Sequence, residues 1–79
     1  MNKDEILERL NSIVSSVLNI ESIGLQMETK ASDVENWDSL RHLIIISTIE
    51  DEFDIEISSD DVLDIKNVRD ICRLIKKSI

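Results

Sequence analysis

Proline and tyrosine are absent from the 79 residues, and glycine, cysteine, histidine, tryptophan and phenylalanine occur once each. Without proline nothing in the chain forbids a helix interior, and no repeat or low-complexity segment argues for another architecture. The single cysteine, Cys72, excludes an intramolecular disulfide framework and fits a reducing compartment. One histidine and one cysteine cannot build a zinc site, so no metal is expected. Basic residues are scarce too: 9 Lys and Arg against 17 Asp and Glu leave a formal charge of −8. That balance argues against nucleic acid or an anionic membrane as partner and favours proteins with basic docking surfaces. The longest aliphatic run, Leu43-Ile44-Ile45-Ile46, is far too short for a bilayer, so no stable membrane insertion is expected. The start of the chain is charged and helical in pattern, which predicts no signal peptide. A cytoplasmic, soluble monomer is the expectation.

What is there is aliphatic. Hydrophobic residues make up 42% of the chain, mostly Ile, Leu and Val, enough for one small domain over residues 1–79. Asn2 with Glu5 three residues later has the form of a capping box and starts a first helix. Ile6, Leu7, Leu10, Ile13, Val14, Val17 and Leu18 recur at helical spacing as its inner face. Lys3, Asp4, Glu8, Arg9, Asn11, Ser12 and Ser15 should be solvated. Residues 20–36 have no sustained period; Gly24 predicts a turn there, and Ile20, Ile23, Leu25, Met27 and Val34 should anchor the loop. A second helix is predicted from Ser39 to about Phe53, with Leu43, Ile46, Ile49 and Phe53 facing the core and Ile45 on its shoulder. Asp54-Ile55-Glu56-Ile57 is an extended connector pinning Ile55 or Ile57. Ser58 or Ser59 should cap a short helix through Asp64, and Asn67 a last one with Val68, Ile71, Cys72 and Ile75 inside. Lys76 and Lys77 suit the negative end of that helix. Three substantial helices and one short one predict an all-α fold, a small antiparallel four-helix bundle.

The chemistry concentrates at Asn36-Trp37-Asp38-Ser39-Leu40, where the loop meets the second helix. Asp38 can accept the unpaired N–H groups of the first turn. Ser39 then sits over the positive end of the helix with its hydroxyl exposed, where a phosphate ester would be stabilised. Asp-Ser-Leu opening the second helix of a short acidic chain resembles the acyl/peptidyl carrier protein family. The likeness continues through Ile49-Glu50-Asp51-Glu52-Phe53-Asp54-Ile55-Glu56-Ile57 to the last helix, and so covers nearly the whole chain. It implies a carrier without catalytic activity of its own. Ser39 would bear a covalent 4′-phosphopantetheine arm, flanked by Asp38 and Leu40. It implies as partners a phosphopantetheinyl transferase that draws on coenzyme A, an acyl-loading ligase or synthase, and acyltransferases. Against the family pattern, Asn36 stands where glycine is common, and asparagine tolerates a left-handed backbone. Trp37 is bulky and expected to pack. Arg41 and Ile44 replace frequent acids, so the acidic docking surface begins at Glu50, Asp51 and Glu52.

Leu40 and Ile44 fall on the outer side of the second helix, where isolated apolar residues are common; beside Ser39 they suggest a docking stripe. A serine hydrolase built on Ser39 and His42 needs an aligned base and an oxyanion site within a cleft, for which a bundle this small lacks room. His42 is expected to be a partly buried packing residue. The acids from Asp51 to Asp64 lack the central glycine and spacing of a calcium loop. Cys72 fits a small core residue. The alternatives to an acyl cargo are an aminoacyl or peptidyl one, or an acidic adaptor with the same fold and no arm; the acidic second-helix end leans toward the acyl type.

Overall fold

The computed structural model describes all residues, Met1–Ile79. Its elements are α1 (Lys3–Leu18), a 3-10 turn at Ala31–Asp33, α2 (Ser39–Phe53), α3 (Ser59–Leu63) and α4 (Val68–Ser78), with no strand. Each α-helix starts on a polar side chain: the Asn2, Asp38, Ser58 and Asn67 oxygens accept N–H groups of their first turns. At Asn2 the Glu5 carboxylate returns a bond to the cap N–H at 3.3 Å, completing the capping box. The helices end by a second device. Asn19 (φ 57°) and Asp54 (φ 54°) adopt the left-handed conformation that closes α1 and α2. The following Ile20 and Ile55 N–H groups then reach back to the Ser15 and Glu50 carbonyls, each at 3.0 Å.

The first helix lies against both α2 and α4. Arg9, in the first half of α1, binds Glu52 at the end of α2 (Nη2 to Oε2, 3.0 Å), and its guanidinium covers the Phe53 ring at 4.6 Å. Ser12 and Ser16 line a cleft with the earlier Thr48, so α1 and α2 run antiparallel. Lys3, at the start of α1, shares a cleft with Arg69, Cys72, Arg73 and Lys76 along one face of α4. Trp37, His42, Val68 and Ile71 line one crevice, which puts the starts of α2 and α4 at the same end and makes α4 antiparallel to α1 as well. Fifteen buried residues form one core cluster, with Ile6, Leu10, Val14, Ile45, Ile49, Val68, Ile71 and Ile75 at its centre.

Several expectations are corrected. Leu43 is not in the core: it is 59% exposed, and Ile45 is fully buried in its stead. Near its start α2 turns the half-buried His42 inward, and the inner stripe continues through Ile45, Ile46, Ile49 and Phe53 at helical spacing. Gly24 makes no turn and has an ordinary φ; the chain leaves α1 through Asn19. Ile20 is exposed and anchors nothing, whereas Leu25 is buried and Ile23, Met27 and Val34 pack against the core. Ser15 is buried rather than solvated. Asn11 is half-buried because its Oδ1 accepts the Leu25 N–H at 2.9 Å, tying the loop to α1. The other end of the loop is pinned to α4, where Val68 and Arg69 donate N–H groups to the Thr29 and Met27 carbonyls at 2.8 and 2.9 Å. A long irregular segment is thus held at both ends by hydrogen bonds and in between by apolar contacts.

Candidate functional site

The loop delivers the chain to α2 through one unusual residue. Asn36 has φ 71°, the left-handed turn that asparagine tolerates best after glycine. That turn tucks Trp37 under the bundle end, where it is only 7% exposed. Its indole Nε1 donates to His42 Nδ1 at 3.0 Å, so the buried polar edge of each ring is satisfied by the other. Burial holds the His42 imidazole below its ordinary pKa, which keeps Nδ1 an acceptor at neutral pH.

Asp38 then caps the helix. Its Oδ1 accepts the Arg41 N–H at 2.9 Å and its Oδ2 the Arg41 guanidinium at 2.7 Å. The Arg41 backbone bond, reinforced by the guanidinium charge, holds the Asp38 carboxyl below the usual range. Ser39 follows, exposed, at the first helical position. The His42 N–H binds the Asp38 carbonyl at 2.8 Å, while the N–H groups of Ser39 and Leu40 bind nothing in the chain. Free donors, a positive helix end and an exposed hydroxyl coincide at Ser39, which is the arrangement a phosphate ester needs. The hydrolase constellation is absent in a concrete sense. His42 Nδ1 is occupied by Trp37, Asp38 by Arg41, and no hydrogen bond joins either to the Ser39 hydroxyl.

Along α2 below Ser39, Leu40, Leu43 and Ile44 are 66%, 59% and 44% exposed. Residues three and four apart share a helix face, so these side chains form one apolar patch under the serine. Leu43 was misplaced because its spacing to Ile46 and Ile49 imitates a core position, whereas the half-buried His42, bonded to Trp37, takes the inward place one step earlier. The acids at the far end are unequal. Glu50 Oε2 accepts the Ile57 N–H at 2.9 Å and fastens the connector, and Glu52 is held by Arg9. Asp51 alone of the three is free of intramolecular bonds and exposed. No three His, Cys, Asp or Glu side chains are grouped to hold a metal ion. Cys72 is buried, and that burial, against a smaller opposing influence of Lys3, raises its pKa.

An exposed serine at the start of a helix, over free N–H groups, suits a protein that holds a phosphate-linked group out for others to work on. Comparison with known proteins narrows the class. Residues 8–75 match the family described as the phosphopantetheine attachment site. The chain is 30% identical to an acyl carrier protein of Thermosynechococcus vestitus over 79 residues, covering 100% of this chain and 98% of that one. It is 34% identical to an acyl carrier protein of Trieres chinensis, over 92% of this chain and 91% of the relative. In structure it is similar to the holo acyl carrier protein of Geobacter metallireducens, with a TM-score of 0.83 and 35% identity over 90% of this chain and 82% of that one. The chain belongs to the acyl carrier protein family. Its role is that of a carrier with covalently attached 4′-phosphopantetheine, not of a catalyst. Members of the family work with synthases, transferases and modifying enzymes. No helix of the chain is long and apolar enough to cross a membrane.

Proposed function

We propose that Ser39 is the attachment residue, esterified through Oγ to 4′-phosphopantetheine by a phosphopantetheinyl transferase using coenzyme A, and that residues 1–79 act as one carrier domain. The observation that carries this reading is the exposed Ser39 hydroxyl beside the free N–H groups of Ser39 and Leu40. When bound, the group supplies a flexible thiol that holds an acyl chain as a thioester. The protein's residues do the rest. Asp38 fixes the first turn of α2 so that Ser39 faces solvent, and Arg41 neutralises the carboxylate beside it. Trp37 and His42 close the bundle end beneath.

Loading enzymes and acyltransferases dock, in this reading, on the α2 face below Ser39. Leu40 and Ile44 form its centre, and the exposed Leu43 extends it. From Ser39 to Ile49 the helix has no acid at all, and Arg41 is its one charged side chain. With Glu50 and Glu52 engaged within the chain, Asp51 is the acid best placed to meet a basic residue of the partner. The partner surface that fits is apolar at its centre, with a basic group toward the end of α2. The single, buried, free cysteine supports a cytoplasmic setting.

Intact-protein mass tests the reading. After incubation with coenzyme A, Mg²⁺ and a promiscuous phosphopantetheinyl transferase, the wild type should gain the mass of one phosphopantetheine, and Ser39→Ala should gain none. Modification of both proteins, or of neither, would overturn it.

A further inference from the structure

Positive charge is distributed unevenly over this acidic molecule. Of the nine Lys and Arg residues in the chain, Lys3, Arg69, Arg73 and Lys76 line a single cleft of about 210 Å³. Its other walls are Met27 and the buried Cys72, and no acid lines it. Three separate segments meet there: the first residue of α1, the loop at Met27, and one face of α4. On α4 the spacing from Arg69 through Cys72 and Arg73 to Lys76 is three, four and seven residues, one continuous stripe. The wall is firm, because the Arg69 N–H is bonded to the Met27 carbonyl at 2.9 Å.

Neutralisation is partial: Arg73 also lines a neighbouring cleft with Asp61, Asp64 and Asp70, though without an ion pair. Arg69 reaches Glu28 at the rim (Nη2 to Oε1, 3.4 Å), an exposed pair. Lys3, Arg73 and Lys76 make no ion pair, although the chain has 17 acids to offer. Lys76 also lies in the last turn of α4, where a cation offsets the helix's negative end. That role explains Lys76 but not the convergence of Lys3, Arg69 and Arg73 on the same concave space. Like charges gathered with few paired counterions repel one another, and a multiply charged anion among them lowers that cost. Two guanidinium forks and two ammonium groups suit phosphate oxygens. A net charge of −8 disfavours an anionic bilayer or nucleic acid as occupant, since the rest of the molecule would be repelled by such large polyanions.

We propose that this cleft is a binding site for a small polyphosphate-class anion, held by Arg69, Arg73, Lys3 and Lys76. The site is separate from the Ser39 junction and stands whether or not Ser39 is the attachment residue. Because the anion would bridge α1, the loop and α4, its binding should stabilise the fold by mass action.

The test is a titration of the full chain with sodium pyrophosphate at constant ionic strength, read by backbone amide chemical shifts and by melting temperature. Saturable shifts centred on residues 3, 27, 69, 73 and 76, a Kd of about 1 mM or tighter, and a rising Tm are expected. Arg73→Gln, at an exposed position, should fold normally and weaken binding about tenfold, while Lys30→Gln, exposed and outside the cleft, should leave it unchanged. A linear response, shifts spread over all lysines, equal affinity in Arg73→Gln, or an equal effect of sulfate would each overturn the proposal.

Discussion

Helices α1 and α2 are almost the same length, 16 and 15 residues, yet they spend their apolar residues differently. In α1 every aliphatic side chain is buried or packed against the core. In α2, Ile45, Ile46 and Ile49 go inward while Leu40, Leu43 and Ile44 stay largely in water. A helix that serves only the fold needs one apolar stripe. A second stripe on the opposite side adds nothing to the core, and an exposed apolar patch of this kind is what the proposed docking reading requires. The contrast separates the scaffold face from the exposed apolar face proposed for docking, and Ser39 stands at the head of the latter.

Substitutions can break or sharpen that contrast. The largest stability effect belongs to the inner stripe: Ile49→Ala, at a fully buried site, should cost about 2–5 kcal/mol in denaturant unfolding. Ile44→Glu, on the outer stripe, should change stability by less than about 0.5 kcal/mol while raising the KM of the transferase reaction severalfold. Equal losses in both assays would return Ile44 to the core and erase the distinction.

A pH effect should follow at the junction between the two stripes. The folded-state pKa of His42 is depressed by burial, so the unfolded chain binds the proton more readily. The stabilisation is therefore complete above the unfolded value near 6.5 and is lost as pH falls through the lower folded value. Protonation also removes the acceptor for the Trp37 indole, so tryptophan emission should change over the same window. His42→Gln should flatten the part of the stability profile that lies in that window. The smallest expected effect lies in the loop. Gly24 has no positive φ, and a Cβ added there would meet nothing within 4 Å. Gly24→Ala should raise stability by about 0.4–1 kcal/mol through the unfolded state alone, as read by Tm.

Helix existence was legible because caps and periodicity coincide: Asn2, Asp38 and Asn67 each precede an apolar repeat and each cap the helix that follows. The exposed Leu40 and Ile44 were legible for the same reason, since a helical wheel leaves them nowhere else to go. Leu43 was not. Its placement depends on the rotation of α2, and the rotation goes with His42 turned inward and bonded to Trp37, a polar pair that no hydrophobic pattern records. The closures at Asn19 and Asp54 were equally hidden, because the one glycine drew the expected turn to residue 24. Glu50 and Glu52 look alike as sequence, and only their bonds to Ile57 and Arg9 tell them from the free Asp51.

The Asp38–Arg41 pair has a consequence beyond the cap. Esterification of Ser39 would add a permanent negative charge to a chain already at −8. An unpaired carboxylate next door would oppose both the finished phosphodiester and the more highly charged donor that delivers it. At 2.7 Å, Arg41 cancels that carboxylate. The residues that flank Ser39 directly are thereby left without net charge, and the repulsion an approaching phosphate meets comes from the other carboxylates, Glu35 the nearest of them in sequence before the helix, which physiological salt screens over about 8 Å.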